Sequence, residues 1–252
     1  MKRLLLFLTA FAAAFAAQAQ PDAGTISIIP RVGVTLAKIS GDKIYTGIPI
    51  ENGLDDHVDA RYKPGFVGGA DLQYQMYDRV ALSVGAYYSR QGTRYQNIVK
   101  TGTDAGGNKT FWGLERPHTH LDYINVPLMA HLYVAKDLSL NFGVQFGFLA
   151  KATVGWNITS YTDKENAETG KTERVYDVVD GHTLNGYEAS GDVSKEYKKF
   201  DVGFPVGVSY EYENVVLDAR YVISLTRVMD DMPSNNQRNK VFQFTVGYKF
   251  NL

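Results

Sequence analysis

The side chains best able to do chemistry are five histidines, and their spacing is poor material for a site. His118 and His120 stand one residue apart and could share a metal ion with His57 or His182 from another loop. Two ligands at that spacing are weak evidence, so no metal residue is assigned. Asp55-Asp56-His57 sets acids beside an imidazole, a pairing that can activate water, yet as one loop tripeptide it reads as a solvated acidic turn. His131 is expected to face inward, with no evident serine partner, although the members of a Ser-His-Asp site need not be neighbours. Gly102-x-x-x-Gly106-Gly107-Asn108-Lys109 lacks the Gly-Lys-Ser/Thr order of a phosphate loop. The chain has no cysteine, which removes disulfides, thiolate metal sites and cysteine nucleophiles together. No catalytic residue and no cofactor is assigned.

The elements that would position any such group are strands. In Leu138–Phe148 every other residue is apolar (Leu138, Leu140, Phe142, Val144, Phe146, Phe148), while the alternate positions are Ser139, Asn141, Gly143, Gln145 and Gly147. Eight segments share this period of two: 28–39, 66–77, 80–91, 123–134, 138–152, 200–212, 215–226 and 241–250. Most have the ~9–11 residues that a tilted strand needs to cross a membrane. Short connections at Asp78-Arg79, Ala135-Lys136-Asp137 and Glu213-Asn214 alternate with long ones at 40–65, 92–122, 153–199 and 227–240. That rhythm predicts an all-β, eight-stranded antiparallel up-and-down transmembrane barrel, with turns periplasmic and loops outside. Pro127 and Pro205 fall on polar faces of strong strands, where local bulges are expected.

Which face looks outward separates a membrane barrel from a soluble one with a greasy cavity. The polar faces are rich in glycine, which weakens exposed strands but makes room inside a narrow barrel. Tyr74, Tyr88, Tyr210, Tyr221, Tyr248 and Phe250 lie near the ends of the apolar faces and suit interfacial girdles. The apolar faces are therefore assigned to lipid. Arg31, Asp71, His131, Lys151, Asp201, Glu211, Asp218, Arg220 and Lys249 are then expected in the lumen as a polar network of structural character. Eight strands enclose only enough space for side chains, and buried charges of both signs must pair.

The N-terminus sets the compartment. Met1-Lys2-Arg3 is positive, Leu4–Ala17 is an apolar stretch of 14 residues, and Ala17-Gln18-Ala19 has the small-x-small cleavage pattern. Residues 1–19 read as a cleaved signal peptide and 20–252 as one barrel domain in the outer membrane. A net charge of −1 excludes bulk attraction to nucleic acid.

Three stretches carry a family resemblance. YINVPLMAHLYV from Tyr123 resembles the Tyr-x-x-x-Pro-Leu strand of the PorT-like outer-membrane β-barrel family. FVGGADLQYQMYDRVALSVGAYYSRQG is similar to that family's second and third strands, and VFQFTVGYKF resembles the terminal strand read by outer-membrane assembly machinery. The resemblance implies an outer-membrane, porin-like barrel, with protein secretion assisted by one lineage. The leading expectation is a non-enzymatic protein that binds at the surface, stabilises the envelope or assists secretion. A narrow channel and a loop-borne hydrolase are the alternatives. Expected partners are outer-membrane lipid and, through the long loops, another envelope or secretion protein; the expected state is a monomer.

Overall fold

Each alternating segment becomes a barrel strand. A computed structural model describes residues 22–40, 44–45, 57–58, 60–166, 170–229 and 237–252. The strands are β1 (Ile26–Ser40), β2 (Ala60–Tyr77), β3 (Val80–Tyr95), β4 (Lys109–Ala135), β5 (Leu138–Glu165), β6 (Phe200–Tyr212), β7 (Val215–Ser224) and β8 (Arg238–Tyr248). Each pairs antiparallel with the next, and β8 returns to β1 from Arg31↔Gly247 to Ser40↔Arg238, so the sheet closes. Closure removes the free edges that lipid could not satisfy. The expected signal peptide over residues 1–19, Asp55 and Asp56 lie outside the described residues.

The alternation sorts side chains by solvent. Val32, Val34, Phe66, Leu72, Leu128, Leu132, Phe142 and Phe244 are among the exposed apolar residues, while Arg31, Asp71, His131, Asn141, Asp218 and Arg220 are buried. Outward apolar positions run from Ile26 to Leu36 on β1, Phe66 to Met76 on β2 and Ile124 to Val134 on β4, which defines the lipid belt. Each large apolar side chain in it gains about 1.5–3 kcal/mol by leaving water. Tyr74, Tyr77, Tyr212, Tyr248 and Phe250 ring the end that carries the short turns. Phe66, Tyr88, Phe148 and Phe200 ring the other, with the Phe66 and Tyr88 rings tilted and their centroids 5.5 Å apart.

Inward glycines follow from the narrow bore. A Cβ at Gly85 would lie 2.3 Å from Asp71 Oδ1 and 2.6 Å from the Tyr87 ring, and one at Gly247 would lie 2.7 Å from Arg31 Cγ.

Three features differ from the sequence expectation. No bulge forms at Pro127 or Pro205: Pro127 pairs with Gln145 and Pro205 with Val222 in unbroken register. Lacking an N–H, each proline interrupts the ladder on its other side, toward β3 and β5, without shifting it. Register shifts lie instead at Tyr62/Val67, Gln75/Tyr77, Glu115/His118, Asp122/Tyr123 and Tyr133/Ala135. Finally, the strands outrun the membrane. β4 has 27 residues and β5 has 28, so more than half of each stands beyond the belt. There they are flanked by Ile98–Thr103 on one side and by Asn185–Asp192 and Thr172–Tyr176 on the other.

Candidate functional site

The lumen is built in tiers. At the turn end, Lys249 Nζ donates to Glu211 Oε2 (2.9 Å), the Tyr133 hydroxyl to Glu211 Oε1 (2.7 Å), and Gln73 Nε2 to the Tyr133 oxygen (3.1 Å). At mid-height Arg31 Nε donates to Asp71 Oδ2 (2.8 Å) and Arg220 Nη2 to Asp218 Oδ2 (3.2 Å). Ser209 Oγ also donates to Asp218 Oδ2 (2.7 Å). These four charged side chains are at most 1 % exposed. Buried ions persist only where opposite charge and hydrogen bonds offset desolvation, and here two ion pairs sit in one layer.

His131 occupies the same layer and has the serine that the sequence did not reveal. Its Nδ1 meets Asn141 Oδ1 at 2.8 Å and its Nε2 meets Ser83 Oγ at 2.8 Å. An amide oxygen only accepts, so Nδ1 carries the proton and Nε2 accepts from Ser83. The connectivity is that of a Ser-His-Asn relay. However, Ser83 is 7 % exposed, His131 3 % and Asn141 1 %. A nucleophile packed in this way has no space beside it for a substrate carbonyl.

Asp201 is half-buried higher up, where it accepts from the Ser224 and Thr226 hydroxyls. Lys151 departs from the expected lumen position and is exposed. Tyr123 pairs with Leu149 but Asp122 pairs with Lys151, so Ala150 is an extra residue that reverses the alternation of β5. That reversal turns Ala152 inward.

Above these tiers an apolar cluster joins buried Gln91 and Asn239 in the lumen. Ile39, Leu121, Tyr123, Leu149 and Ala152 pack with Tyr197 and Val228, which come from two different loops and are joined by the bridge Tyr197↔Met229. Sequence reasoning missed this cap because Tyr197 and Val228 are isolated apolar residues in polar stretches, with no periodicity to betray them.

A second concave region lies outside the barrel wall. β3 ends at Tyr95 and Ile98–Thr103 begins just beyond, opposite a bulge of β4 at Arg116-Pro117. Between them is a cavity of about 790 Å³ lined by Arg61, Lys63, Arg94, Arg116, His118 and His120 along with Pro64, Tyr95, Gln96 and Asn97. Arg61 pairs directly with Arg94, and Arg94 with His118, so two guanidiniums and an imidazole share one row across adjacent strands. His118 and His120 do come together, ring centroids 4.8 Å apart, but the neighbouring group is Lys63 Nζ, 2.8 Å from His120 Nδ1. An ammonium there disfavours a metal cation. His57 pairs with Tyr45 in a short hairpin and His182 with Val179 in another, and among the described residues no three candidate ligands converge on a metal position.

Lys63 and His120 lie beyond the lipid belt. Burial, then the charges of Lys63, His118 and Arg90, push the His120 pKa down to about 4. Burial and Arg90 lower Lys63 to about 8. Folded His120 thus holds its proton more weakly than an unfolded histidine near 6.5. Its stabilising effect is complete above that pH and is lost as the pH falls toward 4. An NMR titration should give a His120 midpoint near 4; a midpoint above 6 would reject this burial among cations.

Residues 16–230 match the family described as outer membrane protein beta-barrel domain. No curated protein matches the chain. Among solved structures, Ail, the attachment invasion locus protein of Yersinia pestis, is similar at 16 % identity over 90 % of this chain and 99 % of that one, with a TM-score of 0.38. Neisserial surface protein A is similar at 14 % identity over 88 % and 97 %, with a TM-score of 0.42. Outer membrane protein W of E. coli is similar at 14 % identity over 92 % and 100 %, with a TM-score of 0.33. With a closed eight-stranded ring, a lipid-facing apolar belt and that family match over most of its length, the chain belongs to the outer membrane protein beta-barrel domain family and resides in the outer membrane.

Proposed function

We propose that this protein is a non-enzymatic surface-binding protein, its barrel serving as an anchor and its extracellular sheet and rim as the working part. The observation that carries the reading is the dryness of the bore: Arg31, Asp71, Asp218 and Arg220 are at most 1 % exposed. A conducting path keeps its ionic groups wet, whereas these pair with one another away from solvent. The lumen network is accordingly read as structural, and the apolar cap at Tyr197 and Val228 as a second seal. The buried Ser83-His131-Asn141 relay is read in the same way, as packing that holds one histidine tautomer. Residues 1–19 are read as a leader for export, with the mature chain expected to start at Gln20.

The test is electrical. Purified protein inserted into planar bilayers should give no stepwise conductance above background. Reproducible unitary steps, abolished by Asp218→Asn, would replace this reading with that of a narrow channel. The PorT-like character of the strand from Tyr123 supports a more specific role as a secretion accessory. Under that role, deleting the gene would leave secreted proteins stranded in the periplasm.

A further inference from the structure

We propose that the cationic cleft beside β3 binds phosphate groups, and that its occupant is the phosphorylated saccharide of lipopolysaccharide packed around the barrel. This rests on reading the rim as a binding surface and names the ligand. The lining supplies three guanidiniums, from Arg61, Arg94 and Arg116, together with Lys63, His118 and His120, and among the described residues no carboxylate. Like charges directly opposite on adjacent strands repel, and Arg61 stands directly opposite Arg94. Asp122, two residues beyond His120, does not relieve it. Asp122 is already held by Arg90 through two bonds, of 2.8 and 3.0 Å. Among the described residues that line the cleft no carboxylate answers these charges, and an anion from outside the chain would do so.

The His118 ring and the Arg116 backbone are fixed at the cleft, while the Arg61, Arg94 and Arg116 side chains are exposed to an incoming ligand. The His118 ring lies against Gly155, where a Cβ would come within 2.8 Å of it. Arg116 adopts a left-handed φ of 50° at the bulge, and its N–H donates to Asn97 Oδ1 (2.9 Å). Bulges re-aim side chains, and backbone strain of this kind collects at binding sites. Guanidinium forks match phosphate oxygens in pairs.

Height selects the membrane as the source. The Tyr88 ring marks the upper girdle on β3, and the cleft residues follow from Gly92, opposite His120, to Arg94. At ~3.3 Å per residue and a tilt of ~40°, this is about 10–15 Å above the girdle. The outer leaflet of such a membrane is lipopolysaccharide, and its phosphates lie at and just above headgroup level. A cavity of about 790 Å³ on the outer wall at that height admits a phosphorylated sugar from the side.

The experiment uses the full mature barrel folded in detergent free of lipopolysaccharide. Its affinity is measured for intact lipopolysaccharide, for the same material after chemical dephosphorylation, and for a heparin oligosaccharide. An Arg61→Ala/Arg94→Ala/Arg116→Ala variant and its Arg→Lys counterpart are compared, with gel heat-modifiability confirming that each is folded. Intact lipopolysaccharide should bind at least about tenfold tighter than the dephosphorylated form. The alanine variant should lose that difference, the lysine variant should recover part of it, and inorganic pyrophosphate should compete. Equal binding of the two lipopolysaccharides, or a folded alanine variant that binds like the parent, overturns the proposal. Tighter binding of heparin than of intact lipopolysaccharide also overturns it, in favour of a soluble sulfated glycan. None of these outcomes alters bilayer conductance, so a failure here is distinct from a failure of the surface-binding reading.

Discussion

Asp218→Ala should cost the barrel about 3–5 kcal/mol, because it strands a guanidinium in a dry interior. Asp218 Oδ2 accepts from Arg220, Ser209 and Asn141 at 3.2, 2.7 and 3.3 Å. Removing the carboxylate leaves Arg220, with a side chain 1 % exposed, near Arg31 and without its ion-pair partner. The loss should appear as a lower urea midpoint in detergent micelles and as a lower temperature for the gel-mobility shift on heating. Replacing both members with apolar residues of similar volume, Asp218→Leu with Arg220→Met, should return most of the stability, since the penalty comes from the unpaired charge and not from loss of a favourable pair. A single variant that resists heat and urea like its parent would show that water reaches Arg220. The argument for a sealed bore would then fail with it.

The second large effect separates two adjacent glycines. At Gly69, which faces the lumen, an added Cβ would sit 2.1 Å from the Ala86 carbonyl oxygen and 2.7 Å from Tyr87 Cα. Both are backbone atoms of the neighbouring strand, so neither can swing aside. At Gly68, facing lipid, the nearest atoms are 3.9 Å away. Gly69→Val should therefore cost about 3 kcal/mol or more, or prevent assembly, while Gly68→Val stays within about 0.5 kcal/mol of the parent. Refolding yield into lipid vesicles, scored by the heat-modifiable band, reads both. Equal yields would mean that β2 is threaded one residue out of register, which would exchange its inner and outer faces.

That pair of glycines also shows how far the chain could be read unaided. Gly68 and Gly69 have the same composition and propensity. Only the phase of the surrounding alternation, with Val67, Gly69 and Asp71 on one side, says which of them faces inward. Phase propagates along a strand until a bulge interrupts it. Arg31, Asp71, His131, Asp218 and Arg220, which that phase assigns to the inner face, are buried, whereas Lys151, beyond the extra residue Ala150, is exposed. Nothing local marks that residue, because a bulge arises from the pairing of two strands.

By itself, the sequence determined the strand count, the order of short turns and long loops, the closing hairpins and the apolar belt. Each of these depends on a period of two and on breaks in it, which are properties of one stretch of chain. Tertiary structure alone decided partnership. Arg31 with Asp71, His131 with Ser83 and Asn141, and Tyr197 with Val228 are joined across strands or loops far apart in the chain. The row Arg61–Arg94–His118 likewise exists only through the register of three strands. Register is set by the sum of many weak ladder and packing energies around a closed ring, so no single segment encodes it.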